Sequence, residues 1–357
     1  MSSPRILAIE SSCDETAAAV VRGFEVESSV VASQIEVHAR FGGVVPELAS
    51  RHHLGAIVPV VREAMARAGV EISSFDSFDA LGVTSGPGLV GALLVGVQMA
   101  RGLAAVTGLP LFGVHHMEGH IASAFLGDTV DGVRRAPEPF ASHVALLVSG
   151  GHTELVRVDG FGEYEILGAT RDDAAGEAYD KVAKLLGLGY PGGPVIDRLA
   201  TEGNPDAIAF PRAMLSKKHN FEFSFSGLKT AVLVHTERNG MPRSRAELVD
   251  ICASFQAAVV DVLTQKARRA CRALGLSRLH VVGGVSANRG LRARLEQIAS
   301  RDGLTLRIPP LRYCGDNAAM IGAAVAARVL AGCAPAVELH TSRAIDDPRI
   351  RITRGAP

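Results

Sequence analysis

Apolar runs broken by small polar turns set the rhythm of this chain. The segment "RILAIESSCDETAAAVV" has an apolar run, a polar stretch at Ser11–Glu15 and a second apolar run. That is the pattern of two strands joined by a tight turn. In the second half "HVALLVSGGHTELVRV" repeats it, with a glycine turn at Ser149–His152. One strand–turn–strand unit per half predicts a duplicated domain rather than a solenoid of short repeats.

The helical pattern of "ELASRHHLGAIVPVVREAMARAGV" stops at Gly69. "DALGVTSGPGLVGALLVGVQMARGLAAVTGLP" predicts a strand, a glycine loop and a buried helix, and "LPLFGVHHMEGHIASAFL" a short strand running into another helix. A hinge is expected over Gly127–Pro139, which is polar and contains proline. "DDAAGEAYDKVAKLLGLGYPGGPVIDRLA" reads as two helices split by a glycine–proline loop, and "NFEFSFSGLKTAVL" as a strand leading to a helix. "RAELVDICASFQAAVVDVLTQKARRACRALG" is a long amphipathic helix, and "RLHVVGGVSANRGLRARLEQIAS" a strand, a glycine turn and a helix. "LTLRIPPLRYCGDNAAMIGAAVAARVLAG" supplies a strand, a polar loop and a closing helix, and the irregular stretch after Ala334 is expected at the surface.

Composition narrows the class. With 357 residues the chain can build two cores, and with 47% hydrophobic residues, 38 glycines and no tryptophan it reads as an α/β enzyme. The formal net charge is zero, so any RNA contact must use local patches. The five cysteines are scattered without a C-x-x-C pair, which points to a reducing compartment and away from a cysteine zinc site. The start lacks a long apolar run and a basic leader, and Gln98 and Arg101 interrupt "LVGALLVGVQMARGLAAV". A cytoplasmic protein with no membrane association is expected.

Candidate chemistry gathers at "VHHMEGH". His116 and His120 are four apart and share one face of a helix, the spacing of metal-binding histidine pairs. In H-E-x-x-H the general-base glutamate follows the first histidine; here Glu118 comes two places on, roughly 200° round the helix, and points away. A bare pair also fits a helix end with solvated histidines. Asp316, in the polar loop before the closing helix, is the candidate third ligand, although an aspartate there also fits an N-cap. Asp14 and Glu15 could orient a water or substrate near a metal, or simply cap their turn.

The two hairpin turns and "VVGGVSAN" all present small loops whose backbone N–H groups can hold phosphate oxygens. They suggest a nucleotide. Asp180 and Asp197 could accept from ribose hydroxyls, and Asn288 could bond a base or cap its helix. Arg212, Lys217, Lys218 and Lys229 near Phe221, Phe223 and Phe225 form a basic cluster that could meet RNA or be a solvated face.

The segments "AIESSCDETA", "SGPGLVGALLVG", "VHHMEGHI", "LLVSGGHTELV", "DDAAGEAYDKVAKLLGLGYPGGP", "FSFSGLKTAV", "GGVSANRGLR" and "CGDNAAMIG" together resemble the TsaD family (the Kae/Qri/Gcp type) in its bacterial form. The resemblance runs from about Arg5 to about Gly332. It implies an actin-like, Hsp70-like (ASKHA) α/β fold of two ribonuclease-H-like domains with a central nucleotide and metal cleft. Residues 1–126 with the closing helix at 316–334 would form the first domain, 127–315 the second, and 335–357 a surface tail.

It further implies transfer of a threonylcarbamoyl group from threonylcarbamoyl-AMP to N6 of adenosine 37 in tRNAs reading ANN codons, forming t6A. One divalent metal, iron or zinc, would be held by His116, His120 and Asp316 and would polarise the carbonyl as AMP leaves. The adenylate, or ATP or AMP in the same place, would lie along Leu147, Val148, Ser149, Gly150 and Gly151, with Asp180, Gly193, Asp197 and Asn288 around ribose and base. Asp14 and Glu15 would stand at the reacting carbonyl or amine. Implied partners are tRNA, a TsaB-like paralogue, a TsaE-like ATPase and a TsaC/Sua-type enzyme that supplies the intermediate. Three other readings compete: a metalloprotease using Glu118, a silent actin-like scaffold, and a sugar or small-acid kinase of the same superfold.

Overall fold

Each apolar hairpin founds a five-stranded sheet. A computed structural model describes residues 3–130, 133–135, 140–215 and 221–347. Contacts divide the chain into unit 1 (Met1–Ala141, Asp159–Tyr164, Pro309–Pro357) and unit 2 (Ser142–Val158, Glu165–Ile308).

In unit 1, β1 (Arg5–Glu10), β2 (Glu15–Arg22), β3 (Glu25–Ser33), β4 (Ala80–Gly86) and β5 (Leu111–His115) lie in the order β3-β2-β1-β4-β5. The first three pair antiparallel, and β1, β4 and β5 run parallel. The helices are α1 (Ile35–Ala39), α2 (Pro46–Arg67), α3 (Val90–Thr107), α4 (His116–Ser123) and, from the far end of the chain, α10 (Ala318–Leu330). Strand β1 is buried along its whole length because both faces are covered. Its residues alternate: Leu7 and Ile9 enter the core cluster with Ile57, Val61 and Val97 of α2 and α3, while Ile6 and Ala8 enter the cluster with Ala319, Met320 and Ala323 of α10. By the same alternation Glu10 belongs to the α10 face.

Unit 2 repeats the plan. Strands β8 (His143–Val148), β9 (Thr153–Gly160), β10 (Glu163–Ala169), β11 (Arg278–Val282) and β12 (Thr305–Arg307) lie in the order β10-β9-β8-β11-β12, with β8 antiparallel to β9 and parallel to β11. Helices α5 (Ala175–Leu185), α6 (Gly192–Ala200), α7 (Ser226–Asn239), α8 (Arg245–Leu274) and α9 (Arg289–Asp302) surround one core that includes Leu146, Tyr179, Phe255 and Leu295. The 30-residue α8 starts where Ser244 Oγ accepts from Glu247 N and Glu247 Oε2 accepts from Arg243 N. Two mixed sheets with one strand order make this the duplicated domain expected from the repeat, in the actin-like α/β fold that the resemblance implies.

Four local readings change. The expected hinge lies partly outside the described residues; those described there hold the short pair β6 (Asp128–Val130) and β7 (Val133–Arg135) and cluster with unit 1. The strand expected in "NFEFSFSG" is a single bridge from Phe223 to Thr170. Helix α3 buries one face (Ala92, Leu93, Gly96, Val97, Ala100) but exposes Val90, Leu94 and Val106, so it is a surface helix and not a buried one. By length and composition α3 alone among the described helices could cross a bilayer; it packs on α2 and β4. Finally, residues 335–347 are mostly exposed, but Val337 and Leu339 pack on the core, and His340 and Ile345 are buried.

Candidate functional site

Helix α4 begins directly after β5, and the turn is fixed by His115, whose side chain accepts from Met117 N. His116 and His120 then project from one face. The loop before α10 brings Asp316 to them: its Oδ1 lies 3.3 Å from His116 Nε2 and 3.2 Å from His120 Nε2. Asn317 takes the N-cap that Asp316 was equally suited to, accepting from Met320 N at 3.0 Å. The capping chemistry is thus satisfied one residue later, and Asp316 is left to face the histidines.

The His120 ring is fully buried, and neither of its nitrogens makes a hydrogen bond of acceptable geometry. Such a group is costly unless something else engages it. Two imidazole nitrogens and a carboxylate oxygen, all within 4.8 Å of one another, are a donor set suited to one divalent metal such as zinc or iron. The residues fit the group.

Glu10, which motif reading did not single out, completes the arrangement. It is fully buried, accepts from Ser12 N at 2.5 Å and from the Thr84 hydroxyl, and its Oε2 is 3.1 Å from His116 Nδ1. A proton on Nδ1 held by Glu10 leaves Nε2 as the ligand atom, the usual service of a carboxylate behind a metal-binding histidine. Burial disfavours the charged forms here, yet the Asp316 and Glu10 carboxylates hold the His116 imidazolium pKa well above its ordinary value. Against the same burial penalty, His116 lowers Glu10, and His116 and His120 lower Asp316. We expect Glu10→Gln to weaken zinc or iron affinity about 10–100-fold with the fold intact. Competition against a chelator reads this directly; an unchanged affinity would remove Glu10 from the role.

Asp14 and Glu15 sit where the first hairpin turn enters β2. His53 of α2 locks that turn: Nε2 donates to the Cys13 carbonyl at 2.9 Å, which makes Nδ1 the acceptor for the Thr16 hydroxyl at 2.8 Å. Burial, with the Asp14 and Asp316 carboxylates adding to it, pushes Glu15 up to about 9, although it accepts from Ser33 Oγ.

Glu118 points elsewhere, as the helical spacing requires. Both its oxygens bind the Arg328 guanidinium of α10, with Nε–Oε1 at 3.0 Å, and Arg328 also donates to the Gly113 carbonyl at 2.7 Å. A carboxylate committed to a buried ion pair is no hydrolytic base. Glu118→Gln should destabilise the protein by about 3–5 kcal/mol, because it leaves a buried guanidinium charge uncompensated. Urea unfolding measures it, and a loss below about 1 kcal/mol, the range of an exposed pair, would contradict the argument.

In unit 2 the remaining candidates divide. Leu147 and Val148 are core side chains, so they can offer a ligand only backbone. Ser149, Gly150 and Gly151 form the exposed turn, closed by Ser149 N to His152 O at 2.8 Å, and Ser149 O accepts from Gly176 N at 3.2 Å. Gly283 must be glycine: its φ is +94°, and a Cβ would stand 2.3 Å from Val148 O. Asp180 accepts from Gly192 N at 2.7 Å and thereby orders the "YPGGP" loop, while a Cβ on Gly193 would face open space. Asp197 Oδ1 accepts from Gln256 Nε2 and Arg289 N, and Gln256 Oε1 accepts from Asn288 Nδ2 at 2.7 Å. Asn288 also caps α9 through Leu291 N. Tyr179 and Gln256, partners in this network, were missed because buried polar residues inside helices carry no motif. Lys217 and Lys218 of the basic cluster lie outside the described residues. Arg212 is engaged with Asp261 at 3.1 Å.

A family model described as "TsaD: tRNA N6-adenosine threonylcarbamoyltransferase" matches residues 25–323. The protein of that name from Trichlorobacter lovleyi is 57% identical over 329 residues, 92% of this chain and 92% of its own. The one from Sorangium cellulosum is 53% identical over 353 residues, 97% of this chain and 98% of its own. Among solved structures, T. kodakarensis HypF superimposes with a TM-score of 0.61 at 15% identity, covering 92% of this chain and 48% of HypF, a likeness of fold alone.

Proposed function

Since this chain belongs to the TsaD family of tRNA N6-adenosine threonylcarbamoyltransferases, we propose that its substrate is threonylcarbamoyl-AMP and its acceptor is N6 of adenosine 37 in tRNAs reading ANN codons. In this reading the amine nitrogen bonds to the carbamoyl carbon, the bond from that carbon to the phosphate oxygen breaks, and AMP leaves with the electron pair. His116, His120 and Asp316 would hold a divalent metal, which would supply Lewis-acid polarisation of the carbonyl.

The chain's own groups do the rest. Ser149 N is committed to His152 O and Gly192 N to Asp180, so Gly150, Gly151 and Gly193 offer the backbone N–H groups to the phosphate, and Asp197 and Asn288, linked through Gln256, offer polar atoms to ribose and base. Asp14 takes the amine proton. Burial and the neighbouring carboxylates raise Glu15 to about 9, which makes it the poorer acceptor of the pair at neutral pH. The adenine amine is a weak nucleophile, so positioning contributes as much as proton transfer. The TsaB-like, TsaE-like and TsaC/Sua-type partners and the cytoplasmic location rest on the family resemblance.

One observation carries the reading: a buried, unbonded His120 facing His116 and Asp316 in a chain that matches this family over most of its length. The test combines purified protein, the three partner proteins, threonine, bicarbonate, ATP and a tRNA reading ANN codons. Mass spectrometry of the digested tRNA should find threonylcarbamoyl-adenosine at position 37. No product, with partners proven active alongside a known homologue, would refute the proposal.

A further inference from the structure

We propose that the segment Pro335–Ile345 is a brace that sets the position of the metal-bearing helix α4, with His340 and His115 as its positioning residues. The segment lies C-terminal to the residues that the family model matches, 25–323.

The segment is built into unit 1 by several independent contacts. Its backbone meets two strands, β5 at its middle and β4 near its end: Gly113 N donates to Ala336 O at 2.8 Å, and His340 N donates to Ser85 O at 2.9 Å. Gly86, at φ +147°, lets it come this close, since a Cβ there would stand 1.8 Å from His340 O. Val337 and Leu339 pack on the core, and an Arg343–Glu338 ion pair at 2.6 Å folds the segment on itself.

The route to the metal ligands is a single imidazole. His340 stacks on His115 with ring centroids 5.3 Å apart and 29° between planes. His115 Nε2 lies 2.9 Å from the Arg343 carbonyl, which can only accept, so that nitrogen carries the proton. Nδ1 is then the lone-pair atom, and it accepts from Met117 N at 3.2 Å in the first turn of α4. The brace thereby selects the His115 tautomer that caps the helix, and the next residue is the ligand His116. Arg328 holds the same helix through Glu118. Releasing the brace lets the first turn of α4 shift while α10 still holds Asp316, and the three ligand atoms lose their mutual spacing.

The inference rests on the reading of His116, His120 and Asp316 as a metal site. It is tested by zinc affinity, measured in competition with a chromophoric chelator, and by amide exchange across α4. The variants are the chain ended at Ala334, the chain ended at Asp347, His340→Ala and His340→Phe. The chain ended at Ala334 and His340→Ala should bind zinc about 10–100-fold more weakly and exchange α4 amides faster. The chain ended at Asp347 should stay within about twofold of the full chain, and His340→Phe, which keeps the stack, should recover most of the loss. A folded His340→Ala protein with unchanged zinc affinity overturns the brace even if it melts lower, and it decides the matter should the chain ended at Ala334 not fold. Wild-type protein without His116-dependent zinc binding would refute the metal reading itself, and the brace with it.

Discussion

His116→Ala should lower threonylcarbamoyl transfer by at least about a thousandfold, since Lewis-acid stabilisation contributes several kcal/mol. The variant should also purify with little metal. His116 is the residue on which three arrangements converge: the face it shares with His120, the Asp316 oxygen at 3.3 Å and the Glu10 oxygen behind it. Removing it takes one of three donor atoms from the set and leaves the Glu10 carboxylate buried without its imidazole partner. Two readouts separate these effects. Metal content measured by emission spectroscopy should fall with the product measured by mass spectrometry. If His116→Ala loses its metal yet forms threonylcarbamoyl-adenosine at the wild-type rate, the metal has no part in transfer.

The second large effect is expected at the first hairpin turn, where the two adjacent carboxylates should behave differently. Asp14→Ala should slow transfer about 10²–10⁴-fold, the worth of a general base, with tRNA affinity unchanged. Glu15→Gln should cost less than about tenfold, because a glutamine has the shape and charge of the protonated acid, the form that burial and the Asp14 and Asp316 carboxylates favour. Single-turnover rates on preformed threonylcarbamoyl-AMP make the comparison. Equal losses at the two positions would mean that the pair acts as one unit and that Asp14 has no separate role.

The sequence disclosed what periodicity and short spacing encode. The duplicated hairpin was legible because buried strands alternate with small polar turns, and the histidine pair because four residues make one helical turn. The misplacement of Glu118 was legible for the same reason, and its commitment to Arg328 agrees. What escaped depends on contacts remote in sequence. Glu10 ends an apolar strand and looks like the start of a turn; only the position of α10 across that face of β1 explains its burial. Asp316 and Asn317 are adjacent and chemically interchangeable as caps, so nothing local decides which one faces the histidines. Helix α3 is apolar on more of its surface than its own unit covers. Residues 335–347 have no periodicity at all and are held by backbone bonds, one ring stack and a few apolar contacts.

The discontinuity of unit 1 has a consequence for biosynthesis. The ribosome delivers the sheet strands and the two histidines first, then all of unit 2, and only afterwards Asp316, α10 and the brace. Until then the α10-facing side of β1 and β2 has no cover, and the donor set lacks its only carboxylate. Unit 2 has its whole β8–β12 sheet and core available earlier and can fold while the chain is still growing. The candidate donor set is therefore completed late in synthesis, and a ribosome stalled before Asp316 holds a nascent chain with two of its three members.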